Sequence, residues 1–283
     1  MQITGTTLRR RLRHAPLLLQ QEVSGFVEEV RLLARLRNGH CVFRQSRIDG
    51  MWTLVRADEE VGRGMYLYRE FEPQESAFIF RNVRDSDTCV DIGANVGFYT
   101  LGLAKRATRG AVHSFEPAPL NYHVLVLNVL TNGLSNVVVN HCAVGDKNGT
   151  ANLCIAQDGA FSSLVDTGRK PIIETSPTRM ITLDFYCSDH ALQRIDILKV
   201  DVEGAERAVI RGASRLLADF ERRPRLVMLE LFEPMLRQFG SCIHEVESLM
   251  RSYGYKPFVF AGGRCEPFSE MHHNRFYNVL FVT

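Results

Sequence analysis

Charged side chains crowd the run Lys199-Val200-Asp201-Val202-Glu203-Gly204, which continues the β-branched stretch from Ile195 and so falls at the carboxyl end of a strand. Open α/β sheets bind their ligands at that edge. A lysine in a central strand is costly to bury unless paired, which predicts a carboxylate partner for Lys199, with Asp201 and Glu203 nearest in sequence. Either carboxylate could also accept a proton from a hydroxyl as that oxygen forms a new bond. A structural ion pair and a catalytic role both fit Lys199, Asp201 and Glu203. Glu230 and Glu233 follow the next strand at the same edge and, with Asp201 and Glu203, offer hard oxygen ligands of the kind Mg²⁺ takes. Separate solvated or helix-capping carboxylates give the same pattern, so the metal stays unassigned.

A second constellation is Val90-Asp91-Ile92-Gly93-Ala94-Asn95-Val96-Gly97-Phe98-Tyr99-Thr100, which reads as a strand, a glycine turn and the opening of a helix. Glycine at 93 and 97 permits tight dihedrals and close approach of a ligand, and the helix N-terminus beyond suits an anionic group. Glu116, about twenty residues on at the end of the next strand, is placed to accept both ribose hydroxyls of a nucleoside. Turn and acid together imply an adenosine-containing cofactor. A dinucleotide fingerprint wants glycine where Asn95 stands. Asp91 with Gly93 and Gly97 leaves room instead for an amino acid's ammonium and carboxylate, which favours S-adenosyl-L-methionine over NAD.

The run Val90 to Thr100, with Phe115-Glu116-Pro117, Ala143-Val144-Gly145-Asp146, Ser162-Ser163-Leu164 and Ile197 to Glu206, resembles the FkbM family of S-adenosylmethionine-dependent methyltransferases. The likeness spans about Asp87 to Leu231, with a looser echo in Asn278-Val279-Leu280-Phe281. It implies that Asp91, Gly93, Asn95 and Gly97 line the methionine moiety, Glu116 the ribose, and Ala143 with its neighbours the adenine. Thr100 and Asp201 belong to the same cofactor-binding set. The family's substrates are mostly hydroxyl groups on polyketides, sugars and other secondary metabolites. The expected activity is therefore O-methylation of a small hydroxylated acceptor. An RNA or protein methyltransferase and an NAD-dependent oxidoreductase are the alternatives, along with a non-catalytic protein that keeps the cofactor fold.

Positioning such residues requires short β-branched strands alternating with helices from Asp87 onward, the pattern of a mostly parallel sheet covered on both faces. Strands are expected at Thr88–Ile92, Val112–Phe115, Val137–Ala143, Ile195–Val200 and Leu226–Leu231, with helices at Gly97–Ala107, Leu120–Asn132 and Ala205–Ala218. Tyr255–Phe260 and Phe276–Val282 read as a terminal antiparallel hairpin, which suits a class I Rossmann-like methyltransferase fold. Gly149 to Pro177, rich in Gly, Ser and Thr, reads as a hairpin or flap over the site. His272, His273 and Arg275 in the last loop should project to the ligand side, whereas His113, His244 and Tyr99 read as structural.

Residues 1–73 read as an N-terminal cap on the 74–283 methyltransferase domain: a helix to about Leu36, then two alternating runs around Asp49-Gly50, a hairpin signal. Across 283 residues the formal net charge is only +2, too small for counterion release on a polynucleotide to be the chain's main business. Seven scattered cysteines without a Cys-x-x-Cys pair argue against a disulfide framework or structural zinc and for a reducing cytoplasm. No uncharged apolar run nears the ~20 residues that cross a bilayer. The basic start, Arg9 to Arg13, precedes too brief an apolar segment for a secretory signal.

Overall fold

The computed structural model describes residues 42–261, 263–273 and 276–283. The expected helix to Leu36 and the candidate Arg275 lie outside the described residues.

The first described element is a hairpin of β1 (Phe43–Ile48) and β2 (Met51–Arg56). Its turn residues Asp49 and Gly50 have φ of 47° and 76°, the two left-handed residues that a two-residue hairpin turn matching strand twist requires. An isolated two-stranded ribbon is marginal in water. Here the free edge of β2 is met by two side-chain amides one helical turn apart. Asn128 accepts from Leu54 N at 2.6 Å and donates to Leu54 O at 3.0 Å, and Asn132 does the same for Trp52 at 2.8 and 2.7 Å.

Helices α1 (Glu60–Tyr68) and α2 (Pro73–Asn82) follow. Neither is visible in the sequence pattern. Helix α1 contains two glycines, each costing roughly 1 kcal/mol of helix propensity; Gly62 is kept because a Cβ there would lie 2.1 Å from Arg56 O.

The main body then runs β3 (Thr88–Ile92), α3 (Phe98–Arg106), β4 (Ala111–Phe115), α4 (Pro119–Thr131), β5 (Val137–Asn140), β6 (Ala143–Val144), β7 (Gly149–Ala156), β8 (Ile172–Ile181), α5 (Leu183–Asp189), β9 (Ile197–Val200), α6 (Glu206–Gly212), α7 (Ser214–Ala218), β10 (Leu226–Leu231), α8 (Glu233–Gln238), α9 (Ile243–Ser252), β11 (Lys256–Ala261), β12 (Arg264–Pro267) and β13 (Tyr277–Val282). Eight strands form one sheet in the order β12-β11-β13-β10-β9-β3-β4-β5. Its centre and one flank are parallel, while β13 is antiparallel to both β10 and β11. This is the expected class I methyltransferase arrangement: a parallel α/β sheet finished by antiparallel strands.

The central strands are apolar on both faces, as strands covered by helices on both sides must be. Val90, Ile92, Leu198, Val200 and Leu229 pack on one face, and Cys89, Ile197, Met228 and Leu280 on the other against Ile79, Phe80 and Leu103.

Two expectations change in detail. The single strand read at Val137–Ala143 divides after Asn140, whose side-chain amide donates to Ser114 O and Tyr186 Oη, and Ala143-Val144 leaves to pair with β8. That places β6 in a separate three-stranded sheet, β6-β8-β7, so the predicted Gly149–Pro177 flap is a long antiparallel ribbon with its own sheet. The helix read at Ala205–Ala218 breaks at Ala213, beside Gly212, where a Cβ would meet Gly145 O at 1.9 Å. Among the described residues no helix is long and apolar enough to cross a membrane.

Candidate active site

The chain turns from β3 toward β4 on one side of the sheet, and β9 lies on the other, so the carboxyl ends of β3 and β9 flank the topological switch point. The two loops there touch. Gly93 has φ of 74°, and a Cβ on it would lie 1.7 Å from Asp201 O, so any larger residue would force the β3 and β9 loops apart. Asp201 N donates to Ile92 O at 3.0 Å. Asn95, at φ 49°, holds the next left-handed position, and its N–H donates to Glu116 Oε2 at 2.8 Å. The other Glu116 oxygen accepts from Ala118 N at 2.8 Å. Burial pushes the Glu116 carboxyl up to about 7, against the pull of those two N–H groups.

Lys199 is the charged node of the crevice. Its side chain is 4% exposed, and Nζ donates to Gly93 O at 2.9 Å and lies 3.1 Å from Asp201 Oδ2 and 3.5 Å from Asp91 Oδ1. Burial alone would discharge the ammonium; Asp201, Asp91 and Glu72 outweigh it and hold Lys199 charged beyond the usual lysine range. Asp91 in turn accepts from Thr100 Oγ1 at 2.6 Å, and Thr100 shares a 2.7 Å hydrogen bond with Ser114.

Two cavities open on this node. The first, with about 610 Å³ of empty space including solvent at its mouth, runs past Gly93, Asn95 and Glu116 to Ala143 and Val144, and is covered by Ser162, Ser163 and Leu164 of the flap. The second, about 930 Å³ on the same measure, has apolar walls that include Val61, Met65, Phe71 and Phe161. Gly93, Asn95, Ala160, Asp201 and Glu203 line both, which places their junction. The flap is anchored from two sides: Ser163 Oγ donates to Glu203 O at 3.2 Å, and Glu59 accepts from Gly159 N at 2.7 Å.

Carboxylates dominate the second cavity. Glu203, at φ 56°, pairs with Arg169 at 2.6 Å; burial and then Asp201 push it up to about 8 despite that partner. Glu230 is driven well above the ordinary range by burial, then by Asp201 and Glu203. Glu72 stands in a left-handed conformation, φ 46°, and accepts from Tyr99 Oη at 2.6 Å and Asn278 Nδ2 at 2.7 Å. Burial, with Asp201 adding, raises it to about 7.

Of the sequence candidates, Gly93, Asn95, Glu116, Ala143 and Asp201 line the first cavity. Asp91, Gly97 and Thr100 do not line either cavity. Asp91 and Thr100 are fully buried behind the wall, and Gly97 is a packing position, where a Cβ would lie 2.5 Å from Leu125 Cδ1. Lys199 faces the second cavity, with Asp201 and Asp91 as its ion-pair partners, while Glu203 belongs to Arg169.

Glu233 leaves the acidic group altogether, accepting from Arg237 and from Ile243 N. His272 is buried against Phe268 and bonded to Glu266, and His273 contacts Glu247, so neither lines a cavity. His113 bonds Tyr186 in the core, as expected of a structural residue. Tyr99 does more than pack, since it lines the second cavity and holds Glu72. Sequence reasoning missed Glu72, Arg169 and Phe161. Their place in the site comes from the α1–α2 link and the flap tip, and no local spacing marks it.

The methyltransferase FkbM domain matches residues 91–257. The chain belongs to this family of S-adenosylmethionine-dependent methyltransferases. The family assignment sets aside the NAD-dependent alternative.

Among its relatives, methyltransferase sdnD of Sordaria araneosa is 26% identical over 67% of this chain and 81% of its own length. The 31-O-demethyl-FK506 methyltransferase FkbM of Streptomyces tacrolimicus is 27% identical over 70% of this chain and 84% of its own. Of solved structures, the methyltransferase FkbM from Methylobacillus flagellatus aligns with 93% of this chain and 59% of its own, at 15% identity and a TM-score of 0.43. The FkbM match begins at Asp91, so the hairpin, α1, α2 and Glu72 lie outside the matched segment.

Proposed function

We propose that this FkbM-family protein binds S-adenosylmethionine in the first cavity and O-methylates a small, largely apolar hydroxylated molecule held in the second. The observation that carries the reading is the meeting of the two cavities at Gly93, Asn95, Ala160, Asp201 and Glu203.

The first cavity fits the cofactor by the chemistry of its lining. Each Glu116 oxygen accepts one backbone N–H and retains a lone pair for a ribose hydroxyl. Ala143, Val144 and Leu164 give an apolar slot for a base, and Gly93 and Asn95 adjoin the methionine end. When bound, S-adenosylmethionine supplies an electrophilic methyl group. The protein's part is to hold the acceptor oxygen in line at the cavity junction and exclude water with the flap. Asp201 or Glu203, both at the junction, takes the hydroxyl proton as the oxygen is methylated.

The lining of the second cavity sets the acceptor class. Five carboxylates, Glu60, Glu72, Asp201, Glu203 and Glu230, face two cations, Lys199 and Arg169, beneath apolar walls. Both cations are already paired with carboxylates of the site, which leaves little to attract a phosphate and so disfavours RNA. The name of the Streptomyces tacrolimicus relative, a 31-O-demethyl-FK506 methyltransferase, speaks for oxygen as the methylated atom.

Incubation with methyl-labelled S-adenosylmethionine and a panel of uncharged hydroxylated molecules, with tRNA and peptides in parallel, tests the reading. Label in a small-molecule ether supports it. Label confined to RNA or peptide refutes it.

A further inference from the structure

Asp201 and Glu203 come from the loop after β9, and Glu230 from the carboxyl end of β10, yet one carboxylate oxygen of each lies within 4.8 Å of the other two. Two oxygens bound to one divalent ion at roughly 2.1–2.4 Å lie at most about 4.8 Å apart, so small side-chain adjustments bring these three carboxylates onto a shared ion. Two of the three already have cations: Asp201 has Lys199, and Glu203 has Arg169.

Glu230 has none. It is 7% exposed and lines the second cavity, and its carboxylate makes no hydrogen bond or ion pair with any described residue. A carboxyl this buried without a protein partner favours an occupant of the cavity that meets its charge, such as a cation. All three donors are oxygen, with no histidine or cysteine among them, which selects a hard ion.

We propose that Asp201, Glu203 and Glu230 bind a divalent cation of the Mg²⁺ type at the junction of the two cavities, leaving its other coordination positions open to water or to an oxygen of the acceptor. All three carboxylates line the second cavity, where such an ion would hold an acceptor hydroxyl close to the junction. That last role rests on the methyl-transfer reading. Cation binding itself does not.

The test is a titration of the full chain, free of S-adenosylmethionine and acceptor, with Mn²⁺ followed by electron paramagnetic resonance and calorimetry. The expected result is one Mn²⁺ per chain, displaced by Mg²⁺, with affinity at least about 10-fold weaker in Glu230→Gln, the order expected when a residue that supports metal binding is lost. Because Glu230→Gln removes a buried unpaired carboxyl, it should fold and, in EDTA, melt no lower than the parent; Glu233→Gln, bonded elsewhere, should bind Mn²⁺ like the parent. No saturable binding below about 10 mM, or equal affinity in Glu230→Gln, overturns the site. With neither cofactor nor acceptor present, failure here leaves the methyl-transfer reading standing. A chain that binds Mn²⁺ but transfers no methyl group refutes only that reading.

Discussion

Replacing Lys199 with methionine keeps most of the side chain's volume and removes the one cation shared by Asp91 and Asp201. The ammonium is almost wholly buried, donates to Gly93 O, and lies within 3.5 Å of both carboxylates. Deleting one partner of a buried charge pair costs roughly 3–5 kcal/mol, because the other charge is left without compensation. For a domain of this size each kcal/mol moves Tm by about 2–4 °C, so Lys199→Met should melt about 6–20 °C lower at pH 8.

Adding Asp201→Asn to Lys199→Met should recover part of the loss, a coupling of the order of 1–3 kcal/mol for residues in contact. Urea denaturation of the single and double variants measures both effects. Lys199→Met as stable as the parent, or a double variant that recovers nothing, would refute the claim that Lys199 holds the crevice together.

Thr100→Val should cost about 1.5–3 kcal/mol in urea denaturation, the worth of a hydrogen bond to a charged group, because Asp91 Oδ2 loses a fully buried donor. Gly93→Ala should abolish cofactor binding or folding, since its Cβ would collide with Asp201 O; a folded variant with parental affinity for S-adenosylhomocysteine would contradict the contact between the two loops. Glu116 and Glu206 are both raised from 4.5 to about 7, so each stabilises the fold when protonated and loses that contribution as pH rises through 7. Between pH 6.5 and 8 the two together should remove roughly 1–2 kcal/mol. His113, lowered to about 4 by burial, stays neutral in the folded state while the unfolded chain's imidazole loses its remaining charge, a gain of about 0.4 kcal/mol that offsets only part of the loss.

Much of the site was legible because local rules set it. Asp49-Gly50 demanded a tight turn and Glu116 a position at a strand end, and both stand where those rules put them, while Gly93 takes the tight turn expected of it with Asp201 O, not a ligand, as its close neighbour. Alternation along β3 also explains the misplacement of Asp91. Val90 and Ile92 share one face, so Asp91 points to the other, toward Thr100 on α3, and ends behind the wall of the cleft. Glu72 was invisible because its function depends on a left-handed backbone and on Asn278, 206 residues away. The division of the carboxylates between Lys199 and Arg169 was equally non-local, as Arg169 reaches Glu203 from the tip of the flap.

Calorimetric titration with S-adenosylhomocysteine, compared with NAD, tests the central claim most directly. The account predicts one S-adenosylhomocysteine per chain, no competing NAD binding, and for a folded Glu116→Ala variant an affinity lower by about 10-fold to 100-fold, the worth of a hydrogen bond to a charged acceptor. Binding of NAD without S-adenosylhomocysteine, or parental affinity in Glu116→Ala, would contradict it.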